Sequence, residues 1–321
     1  MINEVRNTVL SVLNKNNYGY ISPSDFNLFA ANAQMEIWEE YFSSYNKTIN
    51  AENQRASGTD YADIESPIAE TLEVFLVTKN LTNFLNNKYY VPSLTTTGDE
   101  SYYLLKVLCY PVVLVSGTQN GGEATNSLID NTKDFADYGL VAGDIVVNTT
   151  TNLSSTYVSL LAPQQIILSS NIFPVGGATN NGYAIFKASS LTEADKVSLG
   201  KITMLIASPL TSPSNEYPSY TYEGDKLELY PSTIRFPYQV SSVYFRFPKT
   251  PKWTYITLTS GEPAFDQSQV DYQDFELPTE DAYKLTTKIL EYCGISIREM
   301  EVTQFGMTQQ AHEQPTFSVQ Q

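Results

Sequence analysis

The sequence predicts an α+β fold, in which the N-terminal helices and a C-terminal helix form a helical bundle with an inserted antiparallel β barrel or sandwich region and a disordered C-terminal tail. Apolar residues near both ends of the chain recur at spacings of three and four, the period of one helix face. Between them, short β-rich runs alternate with turn residues. The 321 residues include 23 tyrosines and only 17% charged residues, which excludes a chain that is disordered throughout.

The first ninety residues are predicted to be helical. A short amphipathic helix has an apolar stripe that consists of Ile2, Val5, Val9, Val12 and Leu13. A second, unusually long helix begins at Pro23, with Ser22 as its N-cap, and continues to about Arg55. A further helix is predicted to follow Pro67, because helical spacing then places on one face Ile68, Leu72, Phe75 and Leu76.

Most of the predicted strands lie in the middle of the chain. Runs of β-favouring residues separated by turns predict strands at 110–116, 145–147, 156–160, 165–169 and 183–186. This spacing is typical of a small antiparallel barrel or sandwich. Residues 192–207 are predicted to be helical, and further strands are predicted at 226–230, 240–246 and 253–258.

A last helix is predicted to begin at Pro278 and to stop at Gly294, with Cys293 as a small core residue on its buried face. Beyond it, the glutamine-rich tail is predicted to be disordered in isolation. The predicted domains are a helical domain at 1–92 completed by the helix 278–294, a β-rich module at 93–190, a mixed segment of strands and one helix at 191–277, and an extended tail at 295–321.

The residue types that catalysis needs do not occur in supporting positions. His312, the single histidine, lies in the tail, which cannot hold a general base rigidly beside its partner. The sequence has no nucleophile elbow and no phosphate-binding glycine–lysine motif. Carboxylate pairs such as Glu39–Glu40 are expected to be surface charge. The cysteines Cys109 and Cys293 are too few for a disulfide framework or a cysteine–histidine zinc site. We therefore predict a protein that is not an enzyme and has no cofactor.

The formal net charge of −16 argues against a chain that grips nucleic acid over its whole surface, and no apolar run reaches the roughly 20 residues that span a bilayer. Residues 229–261 differ, because they contain no acidic residue and interleave Arg246, Lys249 and Lys252 with aromatic residues such as Trp253. A platform for single-stranded nucleic acid uses this composition. The alternative, which the net charge favours, places the aromatic side chains in a core and the cations against an acidic neighbour.

Several segments together resemble a known family. They are GYISPSDFNLF at 19–29, AQMEI at 33–37, ENQR at 52–55, YFRFPKTPKWTY at 244–255, DFELP at 274–278 and ILEYCGISIRE at 289–299. The chain resembles a virion structural protein of crAss-like and related short-tailed bacteriophages. The resemblance covers about the first 65 residues and residues 190–300, whereas the β-rich middle matches only loosely.

This resemblance implies a ring subunit of the head-to-tail connector, an adaptor below the portal protein. It implies a homo-oligomer of twelve subunits, as in portal rings, in contact with the portal and with other connector or tail rings. The implied location is the head–tail junction of the virion, after assembly in the host cytoplasm. DNA would pass through the channel without specific binding, which the uniform acidity of the chain favours. The family has no catalytic residues to transfer.

The contact between ring subunits is predicted to use rigid aromatic side chains, which commonly dominate interface energy. The predicted interface residues are Trp38, Tyr41 and Tyr45 on the long helix, Arg246, Lys249, Lys252 and Trp253 in the basic segment, and Phe305 and Phe317 in the tail. The alternative for the helix aromatics is internal core. The alternative function is a tail-associated receptor- or carbohydrate-binding structural protein, in which tyrosines supply the stacking surface.

Overall fold

A computed structural model describes residues 1–14, 21–55, 70–121, 125–173, 180–259 and 261–297 of the chain. The chain divides into two compact units. The first unit comprises Met1–Phe75 and Pro248–Gln321, and the second comprises Leu76–Phe247. The domain boundaries drawn from the sequence stay predictions.

The predicted fold class is wrong. Regular structure in the described residues is mostly β, with sixteen strands in sheets of eight, six and two strands, and the chain is not a helical bundle with an inserted barrel. Part of the error lies in residues 76–90, which were assigned to helix from the spacing of Leu72, Phe75 and Leu76. The helical turn at 70–73 ends there, and the chain continues as strands.

The helices are α1 (Ile2–Asn14), α2 (Pro23–Arg55), α3 (Leu199–Ala207) and α4 (Ala282–Ile297). The strands are β1 (Leu76–Asn80), β2 (Asn83–Leu85), β3 (Lys88–Tyr90), β4 (Ser101–Cys109), β5 (Val113–Thr118), β6 (Ser127–Ile129), β7 (Ile145–Asn148), β8 (Leu153–Ala162), β9 (Gln165–Leu168), β10 (Gly182–Phe186), β11 (Thr192–Lys196), β12 (Ser219–Glu223), β13 (Lys226–Tyr230), β14 (Val240–Arg246), β15 (Tyr255–Thr257) and β16 (Pro263–Phe265).

The first unit is a helical assembly in which α1 and α2 both pack against α4. The start of α2 at Pro23 is confirmed, and the Ser22 hydroxyl accepts a hydrogen bond of 3.2 Å from the backbone N–H of Asp25, as an N-cap should. The carboxylate of Asp274 accepts the Ile2 N–H at 2.8 Å and so neutralises the positive end of the α1 dipole. The two-stranded sheet of β15 and β16 also belongs to this unit.

The second unit contains the two larger sheets. The eight-stranded sheet has the order β1-β14-β4-β11-β12-β13-β3-β2, and its pairs are antiparallel except for β11 and β12. The six-stranded sheet has the order β5-β10-β7-β8-β9-β6. Its core contains a buried polar pair, because the Tyr183 hydroxyl donates a 2.7 Å hydrogen bond to the Asp130 carboxylate. Gly117 leaves room for this pair, since a Cβ there would lie 2.8 Å from both partners.

Several local expectations are confirmed and others are wrong. The strands predicted at 145–147, 165–169, 183–186 and 226–230 correspond to β7, β9, β10 and β13. Residues 192–196 were predicted to start a helix but form β11, which pairs with β4 and β12. Cys293 is fully buried, as expected, whereas α4 does not stop at Gly294 and continues to Ile297.

Candidate interface surfaces and a hydroxyl-lined cleft

The predicted interface residues on α2 do not share one exposed face. Trp38 is fully buried, and its ring lies 4.7 Å from that of Phe42 and 6.1 Å from that of Phe75. Tyr41 and Tyr45 are half-buried. Trp38 is therefore a core residue of the first unit, and of the three residues predicted on α2 only the two tyrosines retain exposed surface in the subunit.

Tyr41 is held by a partner on the short 3₁₀ turn before α4. Its hydroxyl donates a short hydrogen bond to the carboxylate of Asp281, whose side chain is buried. Lys284 lies 3.4 Å from the other oxygen of that carboxylate and 5.6 Å from the centre of the Tyr41 ring. Burial and the neighbouring Asp281 carboxylate raise the pKa of Tyr41 far above its ordinary value. The side chain thus ties α2 to the start of α4.

A second polar contact joins the same two helices. Lys288 on α4 is buried, and its Nζ lies 3.0 Å from a Glu36 oxygen and 2.8 Å from a Glu40 oxygen on α2. Burial lowers the pKa of Lys288, but the hydrogen bonds and charges of Glu40 and Glu36 outweigh it, so the pKa is raised. Both carboxylates keep about half of their exposure, which weakens the pair through solvent screening.

The basic and aromatic segment is split between core and surface. Trp253 is buried beneath the Arg6 guanidinium, which lies 3.7 Å from the ring centroid, and its Nε1 donates to the Asn3 side chain at 3.0 Å. The Trp253 ring also stacks on Tyr255 and Phe265 at 5.6 and 6.0 Å. This burial agrees with the alternative that places the aromatic side chains in a core.

The cations of that segment have different surroundings. Lys252 is exposed and forms an ion pair with Asp271. Lys249 is also exposed, and its backbone carbonyl accepts a hydrogen bond of 2.8 Å from the Gln34 side chain. Arg246 belongs to β14 of the second unit and donates to the Phe247 carbonyl at 3.2 Å. The remaining predicted contacts, Phe305 and Phe317, lie outside the described residues.

An apolar surface that the predicted interface did not include lies on α3. This helix packs against β12 and buries Ile202, but it exposes large apolar side chains. The name α3 surface is used below for the exposed residues Leu199, Lys201, Met204, Ile206 and Leu210. Met204 is 75% exposed and Leu210 is 93% exposed. The sequence signal was present, since Lys196–Asn215 is apolar and contains no acidic residue. A helix was predicted at 192–207, but none of its residues was included in the predicted interface.

A second apolar surface lies on the β15–β16 hairpin of the first unit. All three residues of β15 are exposed. Ile256 and Leu258 are two positions apart and so point to the same side, and both are nearly half exposed. Gln269, whose side chain donates to the Tyr255 carbonyl at 3.3 Å, brings the fully exposed Val270 next to this strand. The name hairpin surface is used below for the residues Ile256, Leu258, Glu262 and Val270.

A cleft of about 370 Å³ lies in the second unit, next to strands of both larger sheets. Its described lining has no charged side chain and is rich in hydroxyl groups. The Ser170 hydroxyl donates to Ser155 Oγ at 3.0 Å, and the Thr156 hydroxyl donates to Ser169 Oγ at 2.9 Å. Each hydroxyl has one donor and two acceptor positions. Ser155 Oγ also donates to the Ser170 carbonyl and accepts from the Ser170 N–H, and Ser169 Oγ also accepts from the Thr156 N–H. The acceptor positions that these bonds leave unused are therefore those of the Thr156 and Ser170 hydroxyls.

Two tyrosines, Tyr110 and Tyr238, contribute half-buried rings to the same cleft. Tyr238 has a φ of 58°, a left-handed backbone conformation that is costly for a residue with a bulky side chain. Strain of this kind is commonly found at functional positions. The cleft is thus a small, neutral, hydroxyl-rich site with aromatic walls.

Other kinds of site find no support in the described ranges. Among those residues, no three side chains of histidine, cysteine, aspartate or glutamate converge as metal ligands. Within the same ranges, no helix is long and apolar enough to cross a membrane. Comparison of the chain with protein-family models and with curated proteins finds no match to either.

Proposed function

We propose that the chain is a non-enzymatic virion structural protein, a ring subunit of the head-to-tail connector below the portal of a short-tailed bacteriophage. The observation that carries this proposal is the α3 surface. Monomeric proteins seldom expose contiguous apolar patches that have no partner. An apolar helix that the described residues leave uncovered is therefore expected to be covered by another subunit.

The charge of the chain supports the same function. A net charge of −16 gives a channel wall that repels the phosphate backbone, so DNA can slide through the ring without adhering. Twelve subunits, contact with the portal and contact with neighbouring rings are parts of the proposal that come from the family resemblance. The charge and the α3 surface do not depend on that resemblance.

Electron microscopy of the purified full-length chain, alone and mixed with portal rings, tests this proposal. We expect closed rings with twelvefold symmetry, at least in the presence of the portal. A chain that stays monomeric under both conditions contradicts the proposal. A virion reconstruction that shows the protein only at fibre tips also contradicts it.

The second candidate function is a receptor- or carbohydrate-binding tail component, and the hydroxyl-lined cleft favours it. Neutral sugars offer hydroxyl groups for hydrogen bonding and an apolar ring face for stacking on tyrosine. The cleft volume of about 370 Å³ lies near the lower end of the range for small-molecule sites, about 300–1,000 Å³.

Saturation-transfer NMR with neutral mono- and disaccharides tests the second candidate. Binding that is lost in Tyr238→Gly, which keeps the left-handed backbone accessible, would support a sugar site in the cleft. The matched control is Tyr222→Ala, at an exposed tyrosine that does not line the cleft. Absence of saturation transfer from the wild-type chain to all of these sugars would remove the candidate.

A further inference from the structure

We propose that the α3 surface of one subunit binds the hairpin surface of the neighbouring subunit in the ring. This inference rests on the proposed function and names the two faces through which the ring would close. A ring with a rotational axis needs a heterologous interface, in which each subunit presents two different and complementary patches. The α3 surface and the hairpin surface belong to different units of the chain, and they differ in charge.

Charge distinguishes the two surfaces. Residues 196–215 carry Lys196 and Lys201 and no acidic residue, although the chain has 35 acidic and only 19 basic residues. Lys201 is exposed and has no ion-pair partner within the described ranges. The α3 surface is thus a basic and apolar patch on an acidic protein, and an acidic, apolar patch is its natural complement.

The hairpin surface has that complementary character. From Trp253 to Tyr283 the chain contains seven acidic residues and no basic one. Asp266 accepts hydrogen bonds from Ser268, and Asp271 is paired with Lys252, so both carboxylates are already engaged. Glu262 is exposed, and its carboxylate makes no ion pair with any described residue. Of the carboxylates Glu262, Asp266 and Asp271, Glu262 is therefore the one that is available to Lys201 of a neighbouring subunit.

The apolar parts of the two surfaces also match. Met204 and Ile206 are exposed on the helix, and Ile256, Leu258 and Val270 are exposed at the hairpin, so each surface offers large apolar side chains. Methionine adapts to irregular partner surfaces because its side chain is unbranched and polarizable. A two-stranded hairpin is only marginally stable by itself, so a helix laid across it in the assembly would also stabilise β15 and β16.

A charge-swap experiment on the full-length chain tests the inference. Lys201→Glu and Glu262→Lys should each weaken self-association by at least about tenfold, measured by sedimentation velocity with portal rings present when they are required. In the double variant, the strength of self-association should return to within about threefold of that of the wild type, because the ion pair is restored with opposite polarity. Lys187→Glu and Asp137→Lys make the same charge changes at exposed positions outside both surfaces and should have no effect.

Engineered disulfides give an independent measurement. Cys109 and Cys293 are buried and so do not compete with new surface thiols. After oxidation by oxidised glutathione, a mixture of Met204→Cys and Ile256→Cys chains should give crosslinked dimers, and the doubly substituted chain should give a ladder of multimers. Either single variant alone should stay uncrosslinked.

The outcomes separate the inference from the proposed function. If the wild type forms rings but the charge variants assemble normally, or the double variant is no better than the weaker single variant, the inference is wrong and the proposed function stands. Crosslinking of a single variant with itself would also overturn it, since the interface would then be isologous. If the wild type forms no ring with or without the portal, both the inference and the proposed function are wrong.

Discussion

Helices α3 and α4 are similar in apolar content but differ in what covers them. On α4, Leu285 and Ile289 are fully buried, and Lys288 meets carboxylates of α2 within the same unit. On α3, Ile202 is buried, whereas Leu199, Met204 and Ile206 are exposed. Residues of the same unit cover the apolar face of α4, whereas the described part of the chain leaves that of α3 exposed.

This difference separates stability from assembly. Removing apolar contacts on α4 takes them from the folded subunit, so the subunit itself must become less stable. Changing the exposed side chains of α3 removes few contacts from the subunit, so its stability should be nearly unchanged. Any large effect of an α3 substitution must then arise in the proposed ring.

The largest effect on stability is expected for Ile289→Ala. Loss of a fully buried isoleucine leaves a cavity between α4 and its neighbours, and the free energy of unfolding should fall by about 2–5 kcal/mol. The matched change on α3, Ile206→Ala, should cost less than about 0.5 kcal/mol because that side chain is 47% exposed. Urea unfolding followed by circular dichroism measures both. Similar losses in the two variants would show that α3 is as well covered as α4.

A smaller effect is expected for Lys288→Met, which keeps most of the apolar stem but removes the charge facing Glu36 and Glu40. The free energy of unfolding at pH 7 should fall by about 1 kcal/mol, since the two carboxylates remain half exposed and can be solvated. Urea unfolding at pH 7 measures the change, with Lys187→Met at an exposed position as the control.

The pH dependence of this pair has a definite sign. The pKa of Lys288 is raised in the folded chain, so its stabilising contribution is complete below the ordinary lysine pKa of roughly 10.4. The contribution is lost as the pH rises through the higher pKa of the folded state. The difference in stability between wild type and Lys288→Met should therefore narrow above about pH 10. A difference that stays constant to pH 12 would contradict this account.

Those parts of the fold that depend on residues close together in the sequence could be predicted from it. The start of α2 follows from the Ser22–Pro23 pair. Strands β7, β9 and β10 follow from short runs of β-favouring residues bounded by turns. The eight-stranded sheet could not be predicted in this way, because its partners are distant: Leu76 pairs with Phe245, and Thr192 pairs with Cys109. Strand β4 was not predicted. Its first six residues do not alternate between buried and exposed positions, so the period of two that indicates a strand is missing there.

The candidate site was predicted only in part, for a related reason. Trp38 and Trp253 are rigid aromatic residues of the kind that interfaces use, but composition does not tell whether the chain itself buries them. The partner of Tyr41 is Asp281, far away in sequence. An acidic side chain at position 41 would lie beside the Asp281 carboxylate and destabilise the subunit, so a substitution of this kind would affect folding as well as assembly.

The smallest effect on stability, and the largest on assembly, is expected for Met204→Asp. Met204 is 75% exposed, so the free energy of unfolding should change by less than about 0.5 kcal/mol. A carboxylate there would have to be desolvated against an acidic, apolar neighbour, and ring formation should be lost. Thermal unfolding and electron microscopy of the same preparation measure the two quantities. Leu94→Asp, at a leucine that is 71% exposed outside the α3 surface, is the matched control and should still form rings. Rings from Met204→Asp, or their loss in Leu94→Asp, would show that the open face of α3 is not what holds neighbouring subunits together.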